Sequence, residues 1–295
     1  MTVNSGSFTL DNNVSIAGNS QFEIDLLKEK LSTAAGIVLK DAGEGGKIIE
    51  INVDPGAGTK KEGYILDVTP DKITIAASDK AGAFYGVQTL MQLMPPAIYG
   101  KAQGGENWSI PCVSIQDWPR FGYRGAGLDV SRTFFPLETI YDFIDWISYH
   151  KINTFHWHIT DDNGWRVEIK KYPLLTEKGA WRGPDEVLPP AYGSGNKRYG
   201  GFYTQEDVKE VIAYAQVRGI DIIPELDMPG HMLAAVSNYQ GVSCFEETGW
   251  GSTFSSPVCP GKDSALEFCK NVYTELIELF PYEYVHIGGD EVEKT

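Results

Sequence analysis

The chain predicts an α/β protein in two parts: an α+β unit, followed by repeated strand–helix units of a parallel sheet or (β/α) barrel. Three observations carry this. From Trp118 onward, apolar segments of strand length alternate with amphipathic segments of helix length, the pattern of parallel strands joined by crossover helices. The strands of that half are intensely apolar, as strands covered on both faces are. The first hundred or so residues instead mix short alternating strands, a tight turn and two helices. A length of 295 residues suits two domains, each able to bury a core, and the expected division is 1–112 and 113–295.

In the first part, Phe22 to Leu31 has helical spacing, and Lys47 to Val53 alternates at period two as a strand. Tyr64–Val68 and Ile73–Ala76 read as strands joined by the turn Thr69-Pro70-Asp71-Lys72. A helix from about Ala81 to Met94 is stopped by Pro95-Pro96. No histidines or carboxylates cluster here, so a structural or docking role is expected. Tyr99 to Asn107 reads as a linker or exposed loop.

The second part opens with a strand at Tyr123–Val130 and a helix from Pro136 to about His150, with Pro136 in its first turn and an apolar stripe of Ile140, Phe143, Ile144 and Ile147. A second strand spans Asn153–Ile159. After a long loop, a helix opens at Thr204, where Thr204-Gln205-Glu206-Asp207 is a capping box with Asp for Glu. Strand three is Ile220–Leu226. A helix from about Asp263 to Leu279 leads to strand four, Tyr284–Ile287, expected to be short and buried.

Composition excludes several partners. The balance of 25 basic against 40 acidic residues, net −15, argues against nucleic acid and anionic membranes. No run of eighteen apolar residues is present, so no membrane span is expected. The start, Met1-Thr2-Val3-Asn4-Ser5, lacks a charged and then apolar leader, so no signal peptide is expected in this chain. The four cysteines form no C-x-x-C pair. Cys244 and Cys259 flank a Gly/Ser/Thr-rich loop, and a bridge or unpaired buried thiols both fit.

The chemistry gathers where strands end. Strand one ends in Asp129-Val130-Ser131-Arg132, strand two in His156-Trp157-His158-Ile159-Thr160-Asp161-Asp162, and strand three in Glu225-Leu226-Asp227-Met228-Pro229-Gly230-His231. Strand four runs through His286 into Gly288-Gly289-Asp290-Glu291, where two glycines let the backbone approach a ligand and two carboxylates follow. Any one such end is an ordinary solvated turn. Four in succession, holding four of the five histidines, point to an active site built from several strand tips.

His156 and His158, two apart on a strand, face the same way. With His231, His286 and a carboxylate they could ligate zinc or iron, but histidines that hydrogen-bond and orient carboxylates are the commoner arrangement. Trp157 and the Asp161-Asp162 pair suit a sugar, since aromatic faces stack on sugar rings and carboxylates accept from hydroxyls. Arg132 offers forked donors to two neighbouring hydroxyls, with Asp161 as counter-charge. Trp165, Trp181 and Tyr192 could form a rim, although ordinary packing of the long loop is the plainer reading.

These motifs together (Leu128 to Arg132, Phe155 to Asp162, Asp227 to His231 and His286 to Glu291) resemble the family 20 glycoside hydrolases, the β-N-acetylhexosaminidases, over roughly residues 115–295. The first part resembles, on weaker grounds, the non-catalytic α/β domain that often precedes that barrel. The resemblance implies an N-terminal α+β domain and the first half of a TIM-type (β/α)8 barrel. It implies retaining, substrate-assisted removal of terminal GlcNAc or GalNAc from chitin oligomers or glycans, with no metal or organic cofactor. Glu291 is then the general acid, its pKa raised by burial beside Asp290, and Asp290 orients the substrate's acetamido group. Arg132 and Asp161 would hold ring hydroxyls. His158 and His231 would stand behind the acid, with Asp227 supporting His231. Work on extracellular glycans would place the exported form in the periplasm or outside the cell.

The family's barrel has eight strands, and this chain stops after the fourth. The expectation is therefore a chain truncated at Thr295, with open sheet edges, whose barrel a second copy or a complementary fragment would close. Two alternatives stand beside the leading one. The first is a metal-dependent barrel hydrolase using His156, His158 and His231; the second is a catalytically silent half-barrel that binds sugar.

Overall fold

The computed structural model describes residues 1–101, 107–245 and 257–292, and the chain divides into two compact units, Met1–Gly122 and Tyr123–Thr295. Parts of the expected linker and of the Cys244–Cys259 loop lie outside the described residues. Among those described, no helix is long and apolar enough to cross a membrane.

The first unit contains β1 (Thr2–Thr9), β2 (Val14–Gly18), α1 (Gln21–Ala35), β3 (Lys47–Val53), β4 (Tyr64–Val68), β5 (Lys72–Ala77), α2 (Lys80–Gln92) and β6 (Ser109–Asp117). Its six strands lie in the order β1-β6-β4-β5-β3-β2. β2, β3 and β5 run parallel and the remaining pairs antiparallel. Alternation sets the core: Ile73, Ile75 and Ala77 of β5 are buried, and the residues between them are half-buried. Asp79 caps α2, its carboxylate accepting from Gly82 N at 2.8 Å. A Cβ at Gly86 would lie 2.6 Å from Ile75 Cγ2, so glycine there lets α2 settle onto β5.

Three strands of this sheet escape the sequence pattern. β1 buries only Phe8 of its eight residues, so an edge strand of Ser, Gly and Thr carries almost no apolar signal. β2 follows a turn of polar residues and is short. β6 holds Pro111, which removes a donor from the ladder. The expected division at 112/113 falls inside β6, which pairs with both β1 and β4.

In the second unit, β7 (Gly125–Asp129), α3 (Leu137–Tyr149), β8 (Thr154–Asp161), α5 (Gln205–Gln216), β12 (Asp221–Leu226) and α7 (Asp263–Leu279) form the strand–helix repeat. The long connection after β8 carries β9 (Gly164–Trp165), α4 (Leu174–Glu177), β10 (Trp181–Arg182) and β11 (Tyr199–Gly200), and α6 (Leu233–Val236) follows β12. β12, β8 and β7 are parallel, with β8 in the middle. This is a partial barrel. Phe155, Trp157 and Ile159 face the helix layer, where Ile140, Ile144, Val208, Val211, Phe268 and Leu276 close the core. Pro136 is the N-cap of α3 rather than part of its first turn, and the Thr204–Asp207 capping box forms as the sequence indicates.

Two expectations fail here. The segment Tyr284–Ile287 is no buried strand: one parallel bridge joins His286 to Glu225, and Tyr284 and Ile287 are exposed. Among the described residues its backbone pairs on one side only, through His286 and Ile287 with Pro224, Leu226 and Met228, while Val285 packs against the core. Trp157 stacks on nothing that enters from solvent. It is fully buried, packed between Phe155, Tyr203 and Phe280.

Candidate active site

Register puts the chemistry on the face opposite the helices. Asp129 lies beside His158, and His158 beside Glu225, as three parallel strands come level. His156 and His158 do face the same way, and both meet one carboxylate oxygen, Glu225 Oε2, at 2.6 Å from His156 Nε2 and 2.8 Å from His158 Nδ1. His286 Nδ1 is 3.1 Å from Glu225 Oε1. Glu225 is thus the hub of three imidazoles. From sequence Glu225 is placed at the charged end of strand three but given no role, although a Glu on the His-facing side of an apolar strand was a readable signal.

Arg132 and Asp161 come together as the sequence suggests. Arg132 Nη2 is 2.7 Å from Asp161 Oδ2, and Nη1 is 3.0 Å from Asp129 Oδ2. Asp129 also accepts the backbone N–H groups of Ser131 and Arg132, at 2.9 and 3.0 Å, which turns the chain at the strand end. Asp161 is almost fully buried. Burial alone would raise its pKa, but hydrogen bonds from His158 and His231 and the Arg132 charge bring it down to about 2. Burial likewise opposes the charge on His158, yet Asp161 and Glu225 outweigh it and push the pKa up to about 9. Arg132, also opposed by burial, is raised by Asp161 and Asp129.

His231 joins two groups of carboxylates. Its Nδ1 lies 3.1 Å from Asp162 Oδ2 and 3.5 Å from Asp161 Oδ1; its Nε2 lies 3.2 Å from Glu291 Oε2 and 3.7 Å from Asp290 Oδ2. Hydrogen bonds to Asp161 and Asp162 push it up to about 11, so it is a cation at neutral pH. Asp162, read from sequence only as half of a dipeptide, is the carboxylate nearest Nδ1. Both His231 and Glu291 take left-handed backbone, φ +51° and +47°, which costs on the order of 1–2 kcal/mol per residue and persists only where surrounding contacts over-determine it.

The Gly288-Gly289 break brings the backbone close to Asp227 of this chain. Gly289 N donates to Asp227 Oδ1 at 2.9 Å, and a Cβ at Gly288 would lie 2.0 Å from the same oxygen. Burial and the neighbouring Asp290 carboxylate raise Asp227 to about 7, and the proton it holds keeps Asp290 low. Asp290 and Glu291 themselves are exposed, 58% and 56% for their side chains, against the burial expected of the acid. Among the described residues, nothing lies over them.

Among the described residues, three groupings place ligand-type atoms within 4.8 Å of one another: His156, Glu225 and His286; Asp161, Asp162 and His231; and Asp227, His231 and Asp290. The trio His156, His158 and His231 imagined for a metal hydrolase is not among them. His231 sits with the aspartates, joined to His156 through Asp161, His158 and Glu225 in turn. In the long connection, Trp165 is buried, its indole N–H donating to Val167 O at 2.8 Å; Trp181 is covered by Arg198, 3.6 Å from its ring; and Tyr192 is exposed. Cys244 and Cys259 are bridged, while Cys112 and Cys269 are free.

A parallel β/α sheet with carboxylates and imidazoles gathered at its strand tips is the arrangement in which barrel enzymes build their active sites. The family model for the catalytic domain of glycosyl hydrolase family 20 matches residues 121–295, and that for domain 2 of the same family matches residues 1–118. The chain belongs to glycosyl hydrolase family 20. It is 40% identical to a β-hexosaminidase of Porphyromonas gingivalis, over all of this chain and 38% of the relative. It is also 40% identical to one of Vibrio furnissii, over 90% of this chain and 43% of that protein. The crystal structure of an exo β-N-acetylglucosaminidase from Vibrio harveyi, in complex with N-acetylglucosamine, superposes with a TM-score of 0.86 and 38% identity, covering 99% of this chain and 45% of that one. The chain thus spans less than half the length of these relatives.

Proposed function

We propose that this chain carries the catalytic centre of a retaining β-N-acetylhexosaminidase, releasing terminal β-linked GlcNAc or GalNAc from chitin oligomers or glycans. The observation that carries the reading is the meeting at His231. Glu291 and Asp290 converge on the one nitrogen Nε2, at 3.2 and 3.7 Å, rather than facing each other across a gap. Two carboxylates that flank a sugar ring stand about 5–5.5 Å apart in ordinary retaining enzymes and about 6.5–9.5 Å apart in inverting ones. Neighbours in sequence converging on one imidazole suit another division of labour, in which the substrate's acetamido oxygen is the nucleophile.

In that mechanism Glu291 gives its proton to the glycosidic oxygen as the bond to C1 breaks. The acetamido oxygen closes on C1, forming an oxazolinium ring. Asp290 accepts from the acetamido N–H and offsets the positive charge. Water then attacks C1 while Glu291 takes its proton back, and the sugar leaves with its configuration retained. Arg132, oriented by Asp161 and Asp129, donates to ring hydroxyls. His231 holds the two carboxylates from behind, His158 and Glu225 fix Asp161 and Arg132, and Asp227 keeps Asp290 ionised.

The test is hydrolysis of a chromogenic β-N-acetylglucosaminide by the 295-residue chain beside Glu291→Gln, with both masses confirmed. A fall of roughly 10²-fold or more is expected, the usual contribution of a general acid. A variant that keeps near-full activity would show the acid wrongly assigned. Sugar binding without turnover in either chain would favour a silent binding module, and loss of turnover on chelation would favour a metal hydrolase.

A further inference from the structure

Two guanidiniums lie buried behind the site and take no part in the chemistry proposed above. Arg166 is fully buried and Arg182 is 1% exposed. Among the described residues, all their hydrogen-bond partners are main-chain carbonyls. Arg166 Nε donates to Val130 O at 3.1 Å, and Nη2 to Ser131 O at 2.6 Å and Asn163 O at 3.3 Å. Its Nη1 donates to Ala180 O and, at 3.1 Å, to Gly201 O. Arg182 Nη1 donates to Arg132 O at 2.7 Å and Asn163 O at 3.5 Å.

Burying two cations with no carboxylate hydrogen-bonded to either is costly, and the two repel: burial first, then the Arg182 charge, draws Arg166 down to about 10, with the Asp129 charge opposing only in part. Neutral side chains could tie a loop down without that penalty. What a guanidinium adds is a rigid plane of five donors that can span several strands of backbone at once. Here the donors fall on Val130, Ser131 and Arg132, three consecutive carbonyls of the turn that projects Arg132. The amides of Ser131 and Arg132 are held from the other side by Asp129. The space is also built for it: a Cβ at Gly164 would lie 2.1 Å from Arg166 Cζ.

We propose that Arg166 and Arg182 are positioning residues for Arg132, a buried guanidinium pair that grips its turn by successive carbonyls and so sets where its own guanidinium points. The inference deepens the proposed function and rests on Arg132 as a sugar-holding residue. It is tested on the 295-residue chain with Arg182→Gln, Arg182→Lys and Arg132→Ala. Three quantities are read: N-acetylglucosamine affinity, thermal midpoint, and amide exchange at Ser131 and Arg132.

Arg182→Gln should weaken N-acetylglucosamine by about tenfold, the scale of one charge-assisted hydrogen bond. It should also speed exchange at Ser131 and Arg132, and Arg182→Lys should recover part of both. A lowered midpoint with unchanged affinity and unchanged exchange at those two amides would overturn the proposal, leaving Arg182 a merely structural residue. If Arg132→Ala binds the sugar as the unmodified chain does, the reading of Arg132 fails. Exchange alone then decides the clamp, and unchanged exchange overturns it. Should Arg182→Gln not fold, Arg182→Lys and Gly164→Ala, which displaces Arg166, decide by the same readouts.

Discussion

The tip of β8 and the segment 284–291 both supply carboxylates to one site, yet they are held very differently. β8 has a parallel neighbour on each side and a layer of helices beneath, and Asp161 at its end is 2% exposed with Arg132, His158 and His231 around it. Among the described residues, the segment carrying Asp290 and Glu291 pairs on one side only, through backbone hydrogen bonds of His286 and Ile287 with Pro224, Leu226 and Met228, and its tip rests on Asp227 and His231. The difference teaches that sheet pairing on both sides, not carboxylate density, turns a strand end into a rigid electrostatic centre.

The contrast can be broken most strongly in the core. Trp157→Ala, beneath the tip of β8, should cost about 3–5 kcal/mol, the usual loss for a buried tryptophan, seen as a lower urea midpoint. Next comes Asp161→Asn, which leaves Arg132, His158 and His231 without their shared counter-charge. A loss of about 3 kcal/mol is expected, since removing one partner strands the others, and the same titration checks it.

A smaller effect is read in pH. His158 has its folded-state pKa raised from 6.5 to about 9. Its contribution to stability is therefore complete below pH 6.5 and is lost as pH rises through about 9. His158→Gln should flatten the fall in unfolding free energy across that window, measured by urea titrations from pH 6 to 10. A slope identical to that of the unmodified chain would mean His158 is not held protonated. The smallest effect belongs to the other region: Ile287→Ala, at an exposed position, should stay within about 0.5 kcal/mol. A loss comparable with that at Trp157 would mean the segment is as firmly packed as β8.

The regularities of the backbone were legible in advance. Period-two alternation located β3, and apolar runs of strand length located β4, β5, β8 and β12, because each buries a side-chain row that sequence displays directly; the helix read from about Asp263 to Leu279 is α7. The edge strand β1 was not legible, since it buries one side chain, and neither was the exposure of Tyr284 and Ile287, since apolar residues at strand length look alike whether or not a neighbour covers them. Trp157 was misread for a related reason. Alternation puts it on the face opposite His156 and His158, but only the packed helices decide which face is core.

What the sequence by itself determined is the set of strand ends that carry charge and the motifs Leu128 to Arg132, Phe155 to Asp162, Asp227 to His231 and His286 to Glu291, since side-chain chemistry and its place relative to a strand are local properties. The tertiary structure alone decided which of those charges meet. Glu225 becomes a hub, Asp162 takes His231 Nδ1, and Arg166 and Arg182 close on the carbonyls behind Arg132. Those contacts join residues far apart in the chain, and register and burial set their distances.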